Sequence, residues 1–220
     1  MGWSSVLKSL FTVFVFSILV VGSVESYTCL QATCQTANCP EPSSTCDTIV
    51  GCFNQIQKLE APLPGSNQVL EQRGCNTDSK TCGLEFSATL GSQQTFKYKN
   101  QCCTTDKCNK ENIALSRSSE INGVECTACY SEQNKTCSTM TTLKCTGAER
   151  KCLEVTGTDQ FSNLIFYGKG CATENTCSLD MNVFNNIKIK TLCIPATNGS
   201  PNFKSIAFLP IVLLLLKILL

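Results

Sequence analysis

The sequence predicts an all-β, small disulfide-rich protein built from two tandem copies of one domain. The 220-residue chain carries 18 cysteines and no histidine. All of the cysteines lie between two apolar terminal stretches, where they take about one position in ten. This density is typical of a secreted disulfide scaffold. The cysteine spacing also repeats after about 95 residues, which indicates a duplicated domain.

The first 26 residues have the features of a secretory signal peptide. Lys8 supplies a positive charge, and Leu10–Val21 form an almost unbroken apolar run that is short for a membrane-spanning helix. Val24 and Ser26 have the small side chains that precede a cleavage site. We therefore expect residues 1–26 to be removed during secretion, and an uncleaved membrane anchor is the alternative.

The C-terminal stretch Ile206–Leu220 is also apolar, and Pro210 and Lys217 interrupt it. A short apolar tail that follows small residues is typical of a glycosylphosphatidylinositol (GPI) attachment signal. The best triplet of small residues begins at Asn198, although the spacer behind it is shorter than usual. We expect the lipid on Asn198 and loss of residues 199–220, with a plain transmembrane tail as the alternative.

Charge and composition exclude several classes of function. Residues 27–198 carry 15 Lys and Arg against 16 Asp and Glu, so we expect neither a nucleic-acid partner nor electrostatic binding to lipid. The absence of histidine removes the commonest general base and the usual nitrogen ligand of zinc. The sequence therefore predicts a protein that is not an enzyme and that uses no cofactor and no metal.

A polar, cysteine-free segment at 110–123 separates the cysteines into two groups and is typical of a linker. Ten cysteines define a first domain at 27–109, and eight define a second domain at 124–198. Each domain is too small for a large core, so we expect it to depend on disulfides that contribute roughly 2–4 kcal/mol each.

The gaps between the cysteines have the sequence pattern of β-strands. Apolar and polar residues alternate in CLEVTG, NIKIKTLC and QTFKYKNQCC, and SNLIFYGKGC is rich in β-branched and aromatic residues. Alternation of this kind turns one face of a strand inward and the other outward. Only the two terminal stretches have the composition of helices.

The first domain resembles a known family in three features. Tyr27 is an aromatic residue shortly before the first cysteine of the mature chain. A long gap ends in Gly74-Cys75, and the domain closes with CCTTDKCN at 102–109. These features resemble the three-finger domain of the lymphocyte antigen 6 / urokinase receptor superfamily, which is related in fold to snake neurotoxins. The resemblance extends over both domains and implies two tandem three-finger domains.

The second domain resembles the two-domain branch of this superfamily. That branch includes the γ-type phospholipase A₂ inhibitors of reptile plasma and their membrane-bound relatives. After Cys193, the chain continues as IPATNG and lacks the adjacent cysteine and the Cys-Asn ending. The final loop disulfide is therefore absent, and we expect the last strand of this domain to be looser than its counterpart in the first domain.

The resemblance also implies a complete pairing of the cysteines, which spacing alone leaves open because ten cysteines allow roughly nine hundred connectivities. In the first domain, the family scheme gives Cys29–Cys52, Cys34–Cys39, Cys46–Cys75, Cys82–Cys102 and Cys103–Cys108. In the second domain, it gives Cys126–Cys152, Cys129–Cys137, Cys145–Cys171 and Cys177–Cys193. The family also implies that Asn109 is a structural clasp to the first strands.

The spacing of Cys126 and Cys129 also occurs in redox and zinc sites. A thioredoxin-type site needs a βαβ setting, and a structural zinc ion needs four ligands. The sequence shows neither, so structural disulfides are favoured at this pair and at the cysteine cluster at 101–109.

Two sequons stand in the predicted extracellular body. The first begins at Asn134, and we expect it to carry an N-linked glycan. The second begins at Asn198, where it competes with the predicted lipid attachment.

Partner binding is expected at the fingertips, because a rigid disulfide hub presents the hairpins as loops on a scaffold. The candidate segments are the second fingers, at 55–67 and at 158–166. Strand alternation turns about half of the apolar residues inward, so only a subset can contact a partner. The candidate contact residues in the second domain are Phe161, Leu164, Phe166 and Tyr167.

These inferences predict a GPI-anchored, two-domain glycoprotein on the outer leaflet of the plasma membrane. Its predicted role is to bind an extracellular protein as a receptor, adhesion or modulator module. One alternative is an inhibitor that binds a secreted phospholipase A₂. Another is a structural surface-coat protein without a specific ligand.

Overall fold

The computed structural model describes most of the predicted extracellular body. The described residues are 26–35, 42, 44–61, 67–77, 79–116, 118–132, 134–184 and 186–198. The predicted signal peptide up to residue 25, Cys39, and the predicted tail at 199–220 lie outside them. Within the described ranges, the chain has no helix with the length and apolar character needed to cross a membrane.

The described chain is almost entirely antiparallel β-structure, which confirms the predicted fold class. The first domain contributes β1 (Tyr27–Cys34), β2 (Ser44–Thr48), β3 (Cys52–Glu60), β4 (Gln68–Cys75), β5 (Glu85–Leu90) and β6 (Thr95–Cys103). The second contributes β7 (Ile121–Glu132), β8 (Thr141–Thr146), β9 (Lys151–Thr158), β10 (Leu164–Ala172), β11 (Asp180–Val183) and β12 (Ile187–Ile194). The short helical turns are 3₁₀ turns at Ser79–Thr81, Gly91–Gln93, Cys108–Lys110 and Glu174–Thr176.

Each domain is built from three hairpins. The pairs are β1–β2, β3–β4 and β5–β6, followed by β7–β8, β9–β10 and β11–β12. The four stretches with strand patterns lie in β6, β9, β10 and β12. In β9, Leu153 and Val155 are buried, whereas Glu154 and Thr156 on the other face are partly exposed, as the alternation predicts.

Disulfide bonds join the bases of these hairpins. The bonds among the described cysteines are Cys29–Cys52, Cys46–Cys75, Cys82–Cys102, Cys103–Cys108, Cys126–Cys152, Cys129–Cys137, Cys145–Cys171 and Cys177–Cys193. Each is a pair that the family scheme implies. The ninth expected bond, between Cys34 and Cys39, involves a residue outside the described ranges.

The two domains are joined through one continuous sheet. Its strand order is β11-β12-β9-β10-β5-β6-β3-β4-β1-β2, with β7 also paired to β10 and β8 to β7. The junction is the antiparallel pairing of β10 with β5, in which Gly170 lies opposite Leu90 and Ala172 opposite Ala88. Residue contacts across this junction fix the second domain against the third finger of the first.

The largest hydrophobic core lies across this junction. Its members from the first domain are Phe86, Ala88, Leu90 and Tyr98, and those from the second are Leu153, Val155, Ala172, Val183 and Ile189. Phe86 and Tyr98 stack with ring centroids 4.9 Å apart, and burial raises the pKa of Tyr98 to about 12. Small domains that lack a large core of their own therefore share one.

Hydrogen bonds hold the predicted linker to both domains. The side-chain amide of Asn54 in β3 donates to the carbonyl of Glu111 at 2.5 Å. At the other end, the backbone N–H of Gly147 donates to the carbonyl of Glu120 at 2.8 Å. Strand β7 begins at Ile121, so residues 121–123 of the predicted linker belong to a strand.

Candidate protein-binding site

The second finger of the second domain ends in a tightly bonded turn. The carboxylate of Asp159 accepts the backbone N–H groups of Phe161 and Asn163, both at 2.8 Å. It also accepts the side-chain amide of Asn163 at 2.9 Å, and Ser162 adopts a left-handed conformation with φ 66°. The local sequence produces this turn because Asp side chains bond backbone N–H groups two residues further on.

These hydrogen bonds favour the charged form of Asp159. The side-chain amide of Asn163, together with the two backbone N–H donors, holds the pKa of the Asp159 carboxyl below its ordinary value. Asp159 is therefore charged at neutral pH, the form that accepts these three hydrogen bonds.

The turn presents Phe161 to solvent. The Phe161 side chain is 76% exposed, an unusual state for a large aromatic group. Strand β9 has eight residues and rises about 3.3 Å per residue, so the tip lies roughly 25 Å from the Cys126–Cys152 bond at the base. Phe161 thus stands far from the disulfide hub on a finger with a fixed end.

The other predicted contact residues differ in exposure. Leu164 is half-buried at the start of β10. The half-buried Phe166 ring lies against Tyr130, with centroids 5.9 Å apart, and covers Gly157, where a Cβ would overlap the ring. Tyr167 is only 8% exposed and lies on the face of β10 opposite Phe166, with the Lys169 Nζ 6.0 Å from its ring centroid. Little of its surface is open to solvent, and its role in partner contact stays a prediction. Phe161 is the main candidate that remains.

The sequon residue Asn134 lies between β7 and β8, in the loop that Cys129–Cys137 closes. Its side chain is exposed, which gives a glycan room. Use of the site stays a prediction.

Asn109 closes the first domain through its side chain. Its Oδ1 accepts the N–H of Leu30 at 3.0 Å, and its Nδ2 donates to the carbonyls of Leu30 and Phe53 at 2.8 and 3.1 Å. The side chain is 2% exposed, so these bonds form away from solvent. Asn109 therefore ties the end of its domain to β1 and β3, the position that the family resemblance implies.

Asn198 makes a similar contact in the second domain, which was not predicted from the sequence. Its Oδ1 accepts the N–H of Glu125 at 2.9 Å, and its Nδ2 donates to the carbonyl of Gly123 at 2.7 Å. Both partners lie on β7, the counterpart of β1. Each domain ends in an Asn, which could have indicated this contact. Asn198 was not recognised because no cysteine directly precedes it, unlike Asn109.

The sulfur atoms of Cys126, Cys145 and Cys171 lie within 4.8 Å of one another. All three cysteines are in disulfide bonds. They therefore offer no thiolate to a metal ion, and their proximity reflects the crowded hub of the second domain.

Antiparallel hairpins on disulfide hubs define this chain as a tandem three-finger protein. No family model matches it. It is 44% identical over 205 residues to protein RoBo-1 of Rattus norvegicus, covering 91% of this chain and 83% of the relative. It is 30% identical over 176 residues to phospholipase A₂ inhibitor NAI of Notechis ater, covering 76% and 82%.

A third relative is the urokinase plasminogen activator surface receptor of Mus musculus. The identity is 28% over 145 residues, which cover 65% of this chain and 41% of the receptor. With these relatives, the chain belongs to the lymphocyte antigen 6 / urokinase receptor (Ly6/uPAR) superfamily. None of the three relatives is named as an enzyme.

Proposed function

We propose that this protein is a GPI-anchored cell-surface glycoprotein that binds an extracellular protein and catalyses no reaction. Membership of the Ly6/uPAR superfamily supports this role, because one relative is named as a surface receptor. In this proposal, Asn198 carries the lipid, Asn134 carries a glycan, and the body at 27–198 lies outside the cell.

The main support for this proposal is the exposed Phe161 side chain at the fingertip. Aromatic side chains that fill a pocket of a partner dominate the energy of many interfaces. The hydrogen-bonded turn at Asp159 already fixes the backbone around Phe161, so little conformational entropy remains to be lost on binding. The finger therefore presents one preorganised apolar anchor.

The test is a binding screen with the soluble body, residues 27–198, against a panel of extracellular proteins by surface plasmon resonance. We expect Phe161→Ala to weaken the specific hits by at least tenfold, as for a typical hot-spot residue. The matched control is Ile121→Ala, because Ile121 is also exposed, at 65%, but lies at the start of β7. If the partner proteins bind Phe161→Ala and Ile121→Ala with the same affinity as the wild type, the fingertip site is contradicted.

The membrane attachment has its own test. Phosphatidylinositol-specific phospholipase C should release the protein from cells that express the full chain. Protein that stays on the cells after treatment would favour the transmembrane alternative. A loss of mass in Asn134→Gln, equal to the loss on deglycosylation, would identify the glycan site.

The similarity to inhibitor NAI favours a second candidate function, inhibition of a secreted phospholipase A₂. The test adds the soluble body to purified secreted phospholipases A₂ and measures hydrolysis of a phospholipid substrate. Unchanged hydrolysis at micromolar body would eliminate this candidate and leave the receptor role in place.

A further inference from the structure

A cleft lined by both polar and apolar groups lies where the two domains meet, away from the fingertip of the second domain. Its volume is about 820 Å³. One wall is the face of β5 and β6 opposite the shared core, another is the β8–β9 region, and a third is the linker. Its polar lining includes Glu85, Ser87, Lys97, Ser116, Glu149 and Glu174.

Glu149 is the buried charged group of this cleft. Its side chain is 5% exposed, although it follows directly on the β8–β9 turn. Its Oε1 accepts the hydroxyl of Ser87 from the other domain at 2.7 Å. Its Oε2 is buried and has no hydrogen-bond partner. A buried carboxylate oxygen without a donor is costly, so this oxygen is a strong acceptor for a group that enters the cleft.

The other acids of the cleft already have partners. Glu85 pairs with Lys99 at 3.0 Å and accepts the hydroxyl of Ser116 at 2.8 Å. Glu174 pairs with Lys151 at 3.3 Å, and Glu60, which also lines the cleft, pairs with Lys58 at 2.5 Å. Glu149 therefore differs from these three acids in being buried and in having an oxygen without a hydrogen-bond donor.

Lys97 is the cation that faces this carboxylate. It lies opposite Ser87 in the β5–β6 pair and interacts electrostatically with Glu149. The two residues form no ion pair in the described structure. Burial raises the pKa of Glu149, and Lys97 acts against this by favouring the charged form. Lys97 also repels a second cation.

We propose that this inter-domain cleft is a binding subsite for a basic side chain of a protein partner, with a guanidinium or ammonium N–H donating to Oε2 of Glu149. Charge-assisted hydrogen bonds of this kind are among the strongest in proteins. The inference rests on the proposed function in one respect: the basic side chain belongs to an extracellular protein. The subsite is separate from Phe161, so each can fail without the other.

The test titrates N-acetyl-arginine amide into the isotopically labelled soluble body and follows the amide resonances by NMR. N-acetyl-citrulline amide has nearly the same shape without the charge and is the matched control. We expect saturable shifts at Ser87 and Glu149 with the arginine probe only. Equal shifts with both probes, or no saturable shift with arginine, would overturn the proposal.

Three variants locate the subsite. We expect Glu149→Gln to weaken arginine binding at least about tenfold, because the acceptor loses its charge. Glu174→Gln, at the exposed and already paired acid, should bind like the wild type. Lys97→Gln should bind arginine more tightly, because a like charge is removed.

Unchanged binding in Glu149→Gln, or weaker binding in Lys97→Gln, would contradict the assignment. If Glu149→Gln fails to fold, the Lys97→Gln variant and the citrulline control still decide the question. None of these measurements involves Phe161 or the lipid anchor, so a negative result leaves the proposed function standing.

Discussion

Gly170 and Thr89 approach so closely that a Cβ on Gly170 would overlap the carbonyl oxygen of Thr89. The two residues belong to different domains, on the paired strands β10 and β5. Gly91 has a similar relation to the backbone of Cys129. The junction between the domains therefore depends on backbone surfaces that only glycine leaves open.

We expect Gly170→Ala to lower the free energy of unfolding by at least about 2 kcal/mol, because the new methyl group forces β5 and β10 apart. The matched control is Gly74→Ala, at the equivalent Gly-Cys of the first domain. There a Cβ would meet the Phe53 ring at 3.1 Å, and the ring can shift, so the change should stay within about 1 kcal/mol. Denaturant unfolding with intact disulfides measures both, and equal losses would contradict the role of Gly170.

We expect the two terminal asparagines to contribute unequally to stability. Asn109→Ala should cost about 3 kcal/mol, because it leaves part-buried backbone groups of Leu30 and Phe53 without partners. Asn198→Ala should cost about 1 kcal/mol, because its contacts with Gly123 and Glu125 are exposed. Denaturant unfolding measures both losses. Equal losses would show that the different burial of the two asparagines does not change their contributions to stability.

Hydrogen exchange tests the closure of the second domain. The amide of Glu125 should exchange faster in Asn198→Ala than in the wild type, because it loses its acceptor. The looser last strand of this domain stays a prediction: amides of β12 should exchange faster than those of β6, since Cys103–Cys108 has no counterpart there. Equal protection of the two strands would count against it.

The raised pKa of Glu149 should make the free energy of unfolding depend on pH. Burial raises the pKa of its carboxyl above the ordinary 4.5, against the lowering effect of Ser87, Thr89 and Lys97. Between about pH 4.5 and the raised pKa, the folded protein holds a proton that the unfolded chain has lost. This residue's contribution to stability therefore falls as pH rises through that range, and above it the carboxyl is charged. Glu149→Gln should lack this fall. Parallel stability curves of variant and wild type between pH 4 and 7 would refute the assignment.

Truncation of two aromatic residues in the same finger should change the free energy of unfolding by very different amounts. Phe161→Ala should change the free energy of unfolding by no more than about 0.5 kcal/mol, because the ring is exposed. Phe166→Ala should cost about 2 kcal/mol or more, because its ring covers Gly157 and packs on Tyr130. Thermal unfolding of both variants measures this, and a large loss in Phe161→Ala would mean that the tip is structural.

Much of the fold was predictable from local pattern. The alternation in CLEVTG places Leu153 and Val155 inward, and the same rule applies to any strand with one buried face. The candidate site was only partly predictable. Alternation places Phe166 and Tyr167 on opposite faces of β10 but does not show what covers each face. In the structure, Tyr130 and the shared core pack against Phe166.

The sequence by itself determined the class of this protein: all-β, rich in disulfides, duplicated, and without histidine. These properties depend on residue type and spacing, which a single chain displays in full. Only the tertiary structure decided that Gly170 lies against Thr89, that Glu149 is buried beside Ser87, and that Asn198 binds β7. Each of these contacts joins residues far apart in the chain, and their approach depends on how the two domains pack around a shared core.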